Sequence, residues 1–183
     1  MGKTASLFLA LSAYLSTFVC SFEAQAAQSN IGTSAAQTCY QAATYGPSVA
    51  DLATCTRAIE EEDMTRMNLA ATYSNRGILW SARGRYDRAL EDQNTSIGLN
   101  PDSARAYINR ANVQFRMKQY DAALADYDKA VSLLEDKFPV VYYNRSLANA
   151  AAGKRAAAIA DMEHALKLAP GSTEYQDALN QLK

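Results

Sequence analysis

The chain has 183 residues, 49% of them apolar on a broad count, which is enough to bury a core and to form one domain. Its 18 basic and 19 acidic residues leave a formal charge of -1 with no basic block, so neither a nucleic-acid backbone nor an anionic membrane has a docking face. It has one histidine, no nucleophile at a recognisable spacing from that histidine, no glycine-rich phosphate loop and no His/Cys cluster with metal-ligand spacing; no enzyme, cofactor or metal site is expected.

Residues 1–26 differ from the rest. Lys3 precedes an apolar run from Leu7 to Val19, and Ala24-Gln25-Ala26 supplies the small residues of a cleavage site, the pattern of a secretory signal peptide cut after Ala26 or nearby. The run is short of the ~20 residues that span a bilayer, so no stable membrane span is expected after its removal. Export is expected, most simply to a periplasm, with secretion as the alternative. A lipid anchor on Cys20 is disfavoured, because Thr17-Phe18-Val19 lacks the leucine and the small residue that normally precede such a cysteine. With Cys20 removed, Cys39 and Cys55 remain, in an oxidising compartment.

Residues 27–69 carry a degenerate helical hairpin with its turn at Gly46-Pro47, followed by a linker. The acidic run Glu60-Glu61-Glu62-Asp63 reads as a solvated connection. Asp63 or Thr65 is placed to start the next helix one turn early.

From Ala70 onward the sequence repeats itself. Tyr107, Asn109 and Arg110 recur 34 residues earlier as Tyr73, Asn75 and Arg76, and 35 residues later as Tyr142, Asn144 and Arg145. Gly84, Lys118 and Gly153 mark the middle of each copy; Ala89, Ala123 and Ala158, then Ser96, Ala130 and Ala165, follow in step. Apolar residues fall at helical spacing in two runs per copy, so each unit is a pair of antiparallel helices. The copies are 70–103, 104–138 and 139–172, and residues 173–183 read as a last helix that caps the stack. Gly84-Arg85-Tyr86-Asp87 and Lys118-Gln119-Tyr120-Asp121 break one helix and start the next, the aspartate serving the new N-terminus.

This pattern resembles the tetratricopeptide repeat, with a large residue at repeat position 4, small ones at 8, 20 and 27, large ones at 11 and 24, and proline at 32. The first copy supplies Tyr73, Gly77, Trp80, Ala89, Ser96 and Pro101 but has Gln93 at the large position 24; Gln114 and Asn149 stand at position 11 of the second and third. The resemblance implies an all-α fold, a right-handed superhelical stack of antiparallel helix pairs. In its register Cys39 takes position 8 and Cys55 position 24 of the degenerate hairpin, implying a disulfide across it, with two buried thiols as the alternative. Arg76, Arg110 and Arg145 at position 7 and Asp92, Asp126 and Asp161 at position 23 imply three ion pairs across the hairpin seams. His164, at position 26, is expected to face solvent.

The resemblance also implies an inner wall, lined by the first helices, that takes a protein or peptide segment. Carried over position by position, it holds Asn75 and Ile78 from the first copy, Arg105, Asn109, Asn112, Phe115 and Arg116 from the second, and Tyr143, Asn144 and Leu147 from the third. Asn75, Asn109 and Asn144 would either contact the backbone of an extended peptide or brace a neighbouring helix. Arg105 and Arg116 around Phe115 favour an acidic or C-terminal group beside an apolar side chain. Family members that grip chaperone C-termini use lysines and an arginine where this chain has Ser74, Val140 and Asn144, so that partner class is not expected. The expected function is a non-catalytic protein-interaction module in an exported envelope assembly or secretion process; the alternative is a self-associating scaffold, a homo-oligomer stacked through repeat ends.

Overall fold

The computed structural model describes residues 34–45, 51–135 and 137–183. The leader expected over 1–26, with Cys20, and the Gly46-Pro47 turn lie outside them. Among the described residues there are nine helices and no strand, and the chain divides into one compact unit up to Pro101 and another from Asp102.

The first unit holds α1 (Ala35–Tyr45), α2 (Asp51–Glu61), α3 (Arg66–Ala82) and α4 (Tyr86–Leu99). The amides that open α1 need acceptors from outside the helix. Ser34 Oγ accepts from Gln37 N at 3.2 Å, and the Glu62 carboxylate accepts from Ala35 N at 2.6 Å and Ala36 N at 3.4 Å. Glu62 is therefore not part of a solvated linker. It closes the first turn of α1 and meets the positive end of its dipole, while Glu60, Glu61 and Asp63 stay exposed. Thr65 starts α3, its hydroxyl accepting from Asn68 N at 3.2 Å.

A disulfide joins α1 to α2: Cys39 and Cys55 Sγ are 2.06 Å apart, their Cα atoms 4.8 Å apart, and neither residue is exposed. Ala42, Ala43 and Leu79 complete the cluster around it, with Leu52 and Ile78 packed against its edge. Between α3 and α4, the polar Gln93 is completely buried at the position where the family pattern has a large apolar residue. Both ends of its amide are satisfied: Ser74 Oγ donates to Gln93 Oε1 at 3.0 Å, and Gln93 Nε2 donates to Ser74 O at 2.9 Å. The amide needs the glycine opposite. A Cβ on Gly77 would lie 2.6 Å from Gln93 Nε2 and 3.2 Å from Ala89 O.

The second unit holds α5 (Ala104–Arg116), α6 (Tyr120–Leu134), α7 (Pro139–Ala151), α8 (Arg155–Leu168) and α9 (Thr173–Leu182). Its core combines large side chains, Val113, Tyr127, Val141 and Met162, with alanines that let the helices approach, among them Ala111, Ala123, Ala148, Ala158 and Ala165. The hairpin turns share one geometry. Gly84, Lys118 and Gly153 have φ of 72°, 61° and 77°, and the residue after each donates its N–H to a carbonyl five positions back. Lysine at 118 thus occupies a left-handed conformation that glycine adopts without steric cost. Asp87 and Asp121 lie in the first turns of α4 and α6 without capping them; no side chain caps either helix. Ser172 starts α9, its Oγ accepting from Tyr175 N at 3.3 Å.

Candidate interaction surface

Each regular hairpin is locked by the same three residue types. Arg76 Nε and Nη2 grip Asp92 at 2.9 and 2.8 Å, Arg110 grips Asp126 at 2.7 and 2.7 Å, and Arg145 grips Asp161 at 3.0 and 2.6 Å. The spacing of 16 residues brings these partners together because positions 7 and 23 are nearly equidistant from the turn. The guanidinium carbons also lie 5.4, 5.7 and 5.2 Å from the ring centres of Tyr73, Tyr107 and Tyr142, one turn earlier on the same helix. The Tyr-x-x-Arg spacing was visible in the sequence and its meaning was missed.

Arg76 and Arg145 also hold the preceding helix. Arg76 Nη1 donates to Thr56 Oγ1 on α2 at 3.1 Å, and Arg145 Nη1 to Asp128 Oδ1 on α6 at 2.7 Å. The bonds to Asp92 and Asp126 push the pKa of Arg76 and Arg110 further up, against the cost of burial. For Arg145 burial is the largest influence and works against the charge, but Asp161 and Asp128 together outweigh it. Asn149, another departure from the family pattern, donates to Asp161 Oδ2 at 2.9 Å and completes that network.

The residues assigned to the inner wall are not equally available. Asn75, Asn109 and Asn144 are 4%, 4% and 2% exposed, so little of any of the three is open to a bound peptide. Ile78 lies against the disulfide cluster instead of standing free. Tyr143 and Leu147 are also buried, and the Tyr143 ring stacks on Tyr175 of α9, centroids 4.9 Å apart and 26° between planes. In the second unit the more accessible positions belong to α5: Arg105, Asn112, Phe115 and Arg116 are each half-buried. Phe115 meets Tyr120 in a tilted pair at 5.7 Å and 53°. Asn112 Oδ1 accepts from the hydroxyl of Tyr127 at 2.5 Å. Burial pushes the Tyr127 hydroxyl far above the usual tyrosine range, with the Arg116 charge pulling the other way and Asp126 adding to the rise.

His164 does not face solvent as its repeat position suggested. Its ring packs on Tyr142, centroids 4.1 Å apart, because the tyrosine reaches across from α7 to cover that edge of α8. Among the described residues no three His, Cys, Asp or Glu side chains gather as a metal site, and no helix is long and apolar enough to cross a membrane.

Models of the tetratricopeptide repeat match residues 69–94, 104–137 and 139–172, together just over half of the chain. Serine/threonine-protein phosphatase 5 of Rattus norvegicus is 35% identical over 89 residues, 49% of this chain but only 18% of its own length. Among solved structures, the first tetratricopeptide domain of Spaghetti (RPAP3) bound to the HSP90 peptide SRMEEVD is 27% identical, with a TM-score of 0.59 over 62% of this chain and 89% of that one. MamA from Desulfovibrio magneticus RS-1 shares the fold at 21% identity, with a TM-score of 0.66 over 84% of this chain and 85% of its own. With three matched repeats, each built on a tyrosine, arginine and aspartate at equivalent positions, the chain belongs to the tetratricopeptide repeat family.

Proposed function

We propose that this chain is a non-catalytic protein-binding module whose second regular repeat supplies the contact surface, on the exposed side of α5. The observation that carries this reading is the half-buried pair of Phe115 and Tyr120, with the half-buried Arg116 next to Phe115 in the chain. Buried apolar area supplies the affinity in such contacts, and an arginine adds geometric selection for a carboxylate. The occupant that fits is a protein segment with an acidic group next to an apolar side chain. The peptide-bound tetratricopeptide domain of RPAP3 supports binding of a segment by this fold. Its peptide itself is not the expected ligand. Ser74, Val140 and Asn144 replace the cations of the chaperone-binding pattern, so SRMEEVD should bind only weakly.

The setting we propose is an exported one, in envelope assembly or secretion. The leader-like composition of residues 1–26 supports it, and so does a fully buried disulfide, a bond that persists in oxidising compartments. The test is a crosslinking pull-down from the exported fraction, comparing the native chain with Phe115→Ser and Arg116→Ala. Loss of a charge-assisted bond should weaken capture of the true partner at least about tenfold. Equal recovery by all three proteins would rule out this face of α5.

A further inference from the structure

We propose that α9 is an exchangeable internal ligand, and that the surface beneath it accepts a partner helix presenting an aromatic ring and, one turn later, a leucine. The proposal rests on the protein-binding reading above but is centred on Tyr143 of α7 instead of Phe115 of α5.

The recognition chemistry is read from α9 itself. Its buried side chains are Tyr175 and Leu179, four residues apart on one face, while Gln176, Asp177 and Asn180 are exposed. Tyr175 lies on Tyr143, an aromatic ring on an aromatic ring, in an offset, nearly parallel contact. A helix of any origin with that pair on one stripe has the same shape and chemistry to offer.

Exchange requires that α9 be held less firmly than the helices before it. In α3, α5 and α7 a tyrosine and an arginine anchor each helix to an aspartate of the next. Residues 172–183 contain no arginine, and α9 has no counterpart of that lock. Among the described residues its polar ties to α8 are an exposed ion pair, Lys183 Nζ to Glu163 Oε1 at 3.1 Å, and a bond from Arg155 Nη2 to the Lys183 carbonyl at 2.5 Å. Both are made by Lys183, the residue that follows α9, so neither holds the body of the helix. Pro170 and Gly171 precede it, a sequence that interrupts regular helix between α8 and α9.

A synthetic peptide of residues 172–183 carrying a fluorophore is the probe, titrated against the full chain and against full-length Tyr175→Ala. If α9 fills its own site more than ~90% of the time, freeing the site should tighten probe binding by about tenfold. The same peptide with alanine in place of its tyrosine should lose that gain, and Tyr143→Ala should lose it too. Equal affinity for the two chains, or a probe indifferent to its tyrosine, overturns the proposal. If Tyr175→Ala disturbs the third hairpin, hydrogen exchange on the unaltered chain decides. Amides of α9 should then exchange on the order of a hundredfold faster than those of α8, and equal protection overturns the idea. The probe titration needs no partner of the α5 face, so failure at that face and failure here are told apart.

Discussion

Gly77→Ala is the substitution whose sign the structure determines most sharply. In an exposed helix it would be stabilising, by about 1 kcal/mol, because alanine restricts the unfolded chain and favours helix. Here the new Cβ would lie 2.6 Å from Gln93 Nε2, and the glutamine, fully buried and bonded to Ser74 through both amide atoms, cannot swing aside without giving up those bonds. Displacing it breaks two buried hydrogen bonds, at about 1–3 kcal/mol for each group left unpaired. The balance is a loss of about 1–5 kcal/mol, less if the helices part slightly to absorb the methyl. In a Gln93→Ala background the 2.6 Å clash is gone while the close approach to Ala89 O, at 3.2 Å, remains, and the penalty should fall towards zero. Urea unfolding of the two single variants and the double, followed by circular dichroism, gives the coupling directly. A Gly77→Ala penalty that is the same in both backgrounds would refute the reasoning.

The alkaline limb of stability should report Tyr127. Its hydroxyl stays protonated in the folded chain well above the ordinary value near 10, so the unfolded chain binds fewer protons there and stability falls as pH rises past about 10, by about 1.4 kcal/mol per pH unit. Tyr127→Phe should flatten that limb, and an unchanged slope in unfolding titrations would contradict it. Lys118→Gly should raise stability by about 0.5–1 kcal/mol, since the residue sits at φ 61°; a thermal melt that falls would show the lysine has a compensating contact. Replacing Cys39 and Cys55 together by serine should cost about 3 kcal/mol in the first unit, and reductant should then no longer shift its unfolding midpoint. Asp126→Ala leaves the Arg110 guanidinium, 24% exposed, without its bidentate partner and should cost about 2–3 kcal/mol. Exchanging the two charges in one variant should recover part of that loss, and a double-mutant cycle with no coupling would refute the pairing.

The helical hairpins were legible because a 34-residue period with small residues in step leaves few other ways to bury the apolar positions. The arginine–aspartate partners were legible for the same reason, since a constant separation across a turn fixes which residues face each other. One reading was within reach and was missed. Positions 8 and 24, which the two cysteines occupy in the degenerate hairpin, are occupied in the first repeat by Gly77 and Gln93, so the missing side chain and the misplaced amide are partners. The inner wall was legible only as a set of positions. Whether Tyr143 stands free depends on Tyr175, 32 residues later in a helix with no repeat signature, and periodicity carries no information about that. Nor could the acidic run reveal which carboxylate had work, because the groups Glu62 binds are main-chain amides that leave no mark in the sequence.

That last contact bears on how the two ends of the first hairpin depend on each other. Among the described residues, the acceptor that finishes the opening turn of α1 comes from 27 residues downstream, with Ser34 assisting from the near side. The start of α1 is thereby tied to the far end of α2, and whatever loosens the junction at Glu62 loosens the opening of the chain's first helix with it.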